Sequence, residues 1–273
     1  MNRRTRRRIT NCSILAVLTV ALVLVEQLLE ISHWRTAYLS GWLLFGLIVV
    51  LALYNFRKKL SVVPLGTSAG WLQFHIYAGL LTGVVFLLHI ESRVPNGTFE
   101  CVLATAYATT FLSGIVGLAM SRSFPGRLTS RGEEVLFERI PVYLKQLRDD
   151  IEKIVFKCAE ASDTTAISDL YVNDLKAFFE CPRNSFWHLV HSSHPRKRLM
   201  LAIQSQQRFL SEDERGAMDV IVSLVQRKDD LDYQYALQGA LKLWLFVHIP
   251  LTYGLLVLSI FHGLAACAYG GIS

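Results

Sequence analysis

Five stretches of this chain hold almost no charge: residues 12–29, 38–56, 71–90, 101–120 and 243–269. Each is long enough, as a helix, to cross the ~30 Å hydrocarbon core of a bilayer. Between 121 and 242 the character reverses, and that polar stretch holds most of the 28 basic and 22 acidic residues. The pattern predicts an all-α integral membrane protein with five transmembrane helices. Residues 1–120 carry helices one to four, 121–241 form a mostly helical cytoplasmic insertion, and 242–273 carry helix five.

The start, MNRRTRRRITN, resembles the basic end of a signal peptide. No small-residue cleavage site follows the apolar run, and Glu26, Glu30 and Trp34 stand where one would be, so the reading is an uncleaved first helix. Five arginines precede helix one, and Arg57, Lys58 and Lys59 follow helix two, whereas the opposite loops hold only Arg35 and Arg93. The excess belongs on the cytoplasmic side. The N-terminus and the insertion are then inside and the C-terminus outside, in a membrane such as the bacterial inner membrane. Membrane topology and anionic lipid explain the net charge of +6 without a nucleic-acid partner. The five cysteines form no CxxC or CxxCH, which argues against covalent haem, a zinc ribbon and a Cys-rich iron–sulfur cluster.

The functional signal is a repeated histidine spacing. His75 and His89 lie fourteen residues apart in the third segment, and His248 and His262 lie fourteen apart in the fifth. At about 1.5 Å and 100° per residue, that interval climbs ~21 Å and returns to within ~40° of the starting face. Each helix therefore carries two imidazoles on one stripe. With both helices running outward, His75 meets His248 in depth and His89 meets His262. Paired imidazoles are the axial ligands of b-type haem, and two stacked haems make an electron path across a bilayer.

Other chemistries compete for these residues. A membrane histidine also serves as a hydrogen-bonding group between helices, or belongs to a metal site or proton pathway. A nonhaem metal site is disfavoured because membrane carboxylates that could complete it are lacking, Glu26 being the only candidate. Glycines support the haem reading: Gly79 and Gly83 lie between the histidines of helix three, and Gly254 between those of helix five. A flat macrocycle needs room beside a helix backbone, although Gly79-xxx-Gly83 equally matches helix–helix packing. Ser113-Gly114-xx-Gly117 reads as packing. Phe74, Tyr77, Phe86, Tyr253 and Phe261 are candidate pocket walls, and Lys242 and Arg93 are placed to meet propionates or to snorkel at the interface.

The segments WLQFHIYAGLLTGVVFLLHIES and LWLFVHIPLTYGLLVLSIFHGLAA resemble the transmembrane dihaem cytochromes b, including respiratory cytochrome b subunits and ferric-reductase membrane domains. The resemblance covers helices two to five. It implies two haem b groups ligated by His75, His89, His248 and His262, and electron transfer between a quinol pool or a redox partner subunit and an acceptor. Whether the chain is itself an enzyme stays open. A stand-alone quinone or ferric reductase and a haem-free scaffold or transporter subunit are the alternatives. The insertion has no GxGxxG and no strand–helix alternation, so it is not the flavin and nicotinamide module of the reductases.

Within the insertion, Val135, Leu136, Ile140, Leu144, Leu147, Ile151, Ile154 and Val155 recur at helical spacing, with a kink or restart expected at Pro141. Residues 163–179 form a second expected helix. Ser211-Glu-Asp-Glu214 reads as a capping box for a third, which runs on towards helix five. Helix four is expected to stop before Ser123-Phe124-Pro125-Gly126. Cys181, His188, His191 and His194 match no common zinc spacing and read as a polar surface segment, ending in a basic patch at Pro195–Arg198 that is lipid-facing or partner-facing.

Overall fold

The computed structural model describes residues 3–31, 36–54, 67–131, 134–161, 165–190, 192, 194–206, 208, 210 and 212–269. Trp34, Arg35, Arg57, Lys58, Lys59, His191 and Ser211, all named above, lie outside them. Among the described residues the chain is helical throughout and holds no strand. It divides into two compact units, Met1–Ala119 with Trp244–Ser273, and Met120–Leu243.

The first unit is built from α1 (Arg3–Ile31), α2 (Thr36–Ala52), α3 (Ser68–His89), α4 (Thr98–Leu128) as far as Ala119, and α10 (Glu212–Tyr269) from Trp244. Four of these helices are long and apolar enough to cross a membrane. The fifth, α2, is apolar but has 17 residues, or ~25 Å at ~1.5 Å per residue. Large apolar side chains face outward along the set, among them Leu18, Val20, Leu112, Val116, Phe246 and Phe261. So much exposed hydrocarbon is untenable in water and suits lipid. The set is compatible with the helical bundle of an integral membrane protein.

In lipid, packing and polar contacts replace the hydrophobic drive between helices. The core of this unit gathers Leu44 and Ile48 of α2, Val85 of α3, Tyr107 of α4 and Leu255 of α10. Tyr107 stacks on Phe86 at 4.0 Å and donates its hydroxyl to Thr82, which donates in turn to the Gly79 carbonyl at 2.7 Å. The start of α3 is fixed by Thr67, whose hydroxyl accepts from the Gly70 amide at 3.2 Å. Its end is fixed by Glu91 and Ser92, both left-handed with φ of 50° and 55°. Such backbone is costly for residues with a Cβ, and here it stops the helix directly after His89.

The second unit contains α5 (Ile140–Ala161), α6 (Ala166–Leu170), α7 (Lys176–Glu180), α8 (Ser185–Leu189), α9 (His194–Gln206) and the N-terminal part of α10. The expected restart falls at Ile140, which places Pro141 in the first turn, where a missing N–H costs nothing. Ile140, Leu144, Leu147, Ile151 and Val155 line the buried face of α5 and pack with Met218, Ile221 and Val225 of α10. Between α6 and α7, Tyr171–Leu175 widens into a π-helical turn. A helical run therefore covers 166–180, close to the expected 163–179.

One expectation is overturned. Helix α4 does not stop before Pro125 but runs through it to Leu128. Phe124 and Leu128 are buried with Tyr233 and Leu237. Burying two such side chains contributes ~1.5–3 kcal/mol each, enough to offset the ~3 kcal/mol cost of an interior proline.

The second unit also buries charge. Lys228 is fully inaccessible, pairs with Asp232 one turn along α10, donates to the Cys181 carbonyl at 2.9 Å and lies 4.2 Å over the Phe178 ring. Asp232 additionally accepts from the Arg183 amide at 3.2 Å. Both ends of the ion pair thus have further partners, which such burial requires.

Candidate functional site

The four histidines come together as two pairs within the first unit. His89 ends α3 and His262 lies in the last third of α10, and their rings stand 6.2 Å apart, centroid to centroid, at 81°. His75, near the start of α3, lies within electrostatic reach of His248. His89 thus lies beside His262, and His75 interacts with His248.

The surroundings of His89 define its chemistry. Its Nδ1 lies 3.0 Å from the Ala37 carbonyl and 3.4 Å from Ser40 Oγ. A carbonyl only accepts, so Nδ1 carries the proton and Nε2 keeps its lone pair. A metal-binding imidazole is held in this way, with the distal nitrogen tied to a backbone oxygen and the other left basic. Gly41 makes room for the ring: a Cβ there would stand 2.8 Å from His89 Cε1. Phe99 stacks on His262 from the other side at 6.3 Å.

A cavity of about 580 Å³ opens at this pair, lined by both imidazoles and by Gly41, Phe86, Tyr107 and Leu255. That volume lies within the ~300–1,000 Å³ of sites for cofactor-sized ligands. The His89 and His262 rings, 6.2 Å apart, both border this cavity, and His89 keeps its Nε2 lone pair. The residues present fit a bis-histidine haem at this pair.

The second pair is held differently. His248 Nδ1 lies 3.2 Å from Ser113 Oγ, and Trp244 stacks on the ring at 5.1 Å while donating its indole N–H to the Ser113 carbonyl at 2.8 Å. Gly117 admits the Trp244 ring, and Gly114 lies in ordinary contact with His248. Ser113-Gly114-xx-Gly117, read from sequence as packing alone, thus also sets the orientation of a candidate ligand. His75 packs against Tyr54 at 4.8 Å, and its Nδ1 is buried without a hydrogen-bond partner. An orphaned buried ring nitrogen beside a second imidazole fits a ligand role.

The three glycines separate. Positions beside Gly79 and Gly254 are open, with no atom within 4 Å of an added Cβ. The position beside Gly83 is filled by the Phe111 ring at 2.8 Å, so that glycine serves helix packing in this structure. Of the two proposed propionate partners, Arg93 lies on the cavity wall and pairs with Glu91 at 3.2 Å. Lys242 pairs with Glu138 and covers the Phe137 ring at 4.1 Å.

Of the Cys181–His194 cluster, Cys181, His188 and His194 are described and His191 is not. Among the described residues no three His, Cys, Asp or Glu side chains are grouped to hold a metal ion. Nor is the segment uniformly surface: His188 is buried, with Nε2 3.7 Å from Asp229 and its ring against Tyr233. Arg127 explains the burial by binding the carbonyls of His188 and Leu189. Burial, together with the cations Arg131 and Lys228, pushes the His188 pKa down to about 4. Ala37, Ser40 and Gly41 escaped sequence reasoning because they reach His89 from another helix, whereas Trp244, one turn before His248, lay at a readable spacing and was missed.

No protein-family model, curated protein or solved structure matches the chain.

Proposed function

We propose that this chain is an integral-membrane electron carrier holding two b-type haems, one between His75 and His248 and one between His89 and His262. The observation that carries the reading is the His89–His262 pair: a 6.2 Å ring separation, an Nδ1 bound to the Ala37 carbonyl, and a cavity of about 580 Å³ opening on both rings. The resemblance to transmembrane dihaem cytochromes b points the same way.

Haem bound there would supply a one-electron couple, held by His75 with His248 in one site and by His89 with His262 in the other. The residues of this chain do the rest. Ala37 and Ser113 orient imidazoles, and Phe86, Tyr107 and Leu255 keep the cavity apolar. Glu91, Arg93 and Glu100 are the charged residues of its lining. In this proposal five helices cross the membrane, the arginine-rich N-terminus and the 121–241 segment are cytoplasmic, and the C-terminus is outside. A quinol or a separate redox subunit is the electron donor.

The test is a pyridine haemochrome assay on purified protein. It should count close to two haem b per chain, and His89→Ala and His75→Ala should each remove one. Protein without a Soret band, or histidine variants that keep both haems, would overturn the proposal.

A further inference from the structure

The second unit carries a surface that the electron-transfer reading does not use. None of the 22 acidic residues lies between Glu180 and Glu212, whereas Arg183, Arg196, Lys197, Arg198 and Arg208 all do. Helix α8 turns His188 inward and presents Phe186 and Trp187 to the outside, 68% and 46% exposed, with Val190 beside them. These two aromatic rings pack edge to face at 5.9 Å. Trp187 stacks in turn on His194, the first residue of α9, at 6.2 Å and 29°. His194, Lys197, Arg198 and Leu201 follow one another at helical spacing, so they share one stripe of α9, and all four are exposed. Arg196 points elsewhere, towards Asp229 and Asp230.

We propose that this aromatic and basic surface, Phe186, Trp187, Lys197, Arg198 and Leu201, docks on the headgroup region of an anionic bilayer. Tryptophan and phenylalanine beside cations are the residues that settle at that boundary, the rings in the interface and the ammonium and guanidinium groups on lipid phosphates. A solvent-exposed Phe–Trp pair has no use in water, and an acid-free basic stripe repels cationic partners and attracts a negative sheet of charge. The chain's apolar helices keep a bilayer permanently attached, so docking pays no cost of encounter. The surface is independent of the histidine pairs, and its failure leaves the haem count untouched.

The test uses the full-length protein in nanodiscs of brominated phosphatidylcholine, with or without brominated phosphatidylglycerol. Bromine quenches nearby tryptophan, and the difference between wild type and Trp187→Phe isolates Trp187 from the other four. In the anionic discs wild type should be quenched more than Trp187→Phe. Lys197→Gln with Arg198→Gln should cancel that difference, because each cation contributes about five-fold to the docked-to-undocked ratio, or ~30-fold for both. Equal quenching of wild type and Trp187→Phe in anionic discs would place Trp187 in water or against protein and overturn the proposal. A difference as large in neutral discs, or one untouched by the double charge substitution, would overturn its electrostatic basis.

Discussion

Gly41 offers the sharpest test of the proposed His89–His262 haem site, because it acts on His89 without replacing it. A Cβ at position 41 would lie 2.8 Å from His89 Cε1, and ordinary carbon contacts are ~3.5–4.0 Å. The ring must therefore retreat by roughly 1 Å. That stretches the 3.0 Å bond from Nδ1 to the Ala37 carbonyl past hydrogen-bonding range, a loss of ~1 kcal/mol. More important, metal–ligand distances tolerate deviations of only about ±0.2 Å. Gly41→Leu should thus bring haem content from two per chain to one, with Gly41→Ala lowering it less. The control lies on the same helix: Gly46 has no atom within 4 Å of an added Cβ, and Gly46→Leu should keep both haems. Haemochrome counting and reduced-minus-oxidised spectra on monodisperse protein give the readout. Two intact haems in Gly41→Leu would refute the placement of His89 as a ligand held by α2.

Three further outcomes follow from packing and charge. Gly83→Val forces a methyl-bearing carbon into the Phe111 ring and should destabilise the first unit by ~1–3 kcal/mol, seen as a lower Tm in detergent. Lys228→Met leaves the Asp232 carboxylate buried without its cation, a loss of ~3–5 kcal/mol, whereas Lys228→Met with Asp232→Leu should recover most of it. Unequal recovery would show that the pair is not the main partner of either group. His188 is held neutral, with a pKa near 4 against an ordinary 6.5, among Asp229, Arg131, Lys228 and Tyr233. A depressed folded-state pKa means the unfolded chain binds the proton more readily. The stability is complete above pH 6.5 and drains away as pH falls from 6.5 towards 4. His188→Gln should flatten the fall of Tm across that window, and an unchanged pH profile would exclude His188 as its source.

The membrane helices were legible because lipid imposes a long, uninterrupted apolar run, and α1, α3, α4 and α10 carry one. The histidine pairing was legible for a related reason: a fourteen-residue interval nearly closes on itself in α-helical geometry, so spacing alone puts His75 and His89 on one stripe. What holds those rings was not legible. Ala37 and Gly41 reach His89 from a helix some fifty residues earlier, through a carbonyl and a missing side chain, neither of which leaves a pattern. The stop expected at Pro125 failed because local propensity is blind to Phe124 and Leu128 packing on Tyr233 and Leu237. The surface expected around His188 is met by its neighbours and fails at His188 alone, whose side chain is drawn inward by Arg127 and Asp229, both remote in sequence.

The π-helical turn at Tyr171–Leu175 has a consequence for how this unit tolerates change in chain length. Leu170 and Leu175 are both buried although five residues separate them, a step that ordinary α-helical winding would send to different sides. The wide turn absorbs one surplus residue, and Val172, Asn173 and Asp174 bulge into solvent. Excising Asn173 would let the segment rewind as plain α-helix with Leu170, Phe178 and Phe179 still directed inward. Excision of a residue from the middle of α5 would instead rotate half of its apolar stripe out of the core.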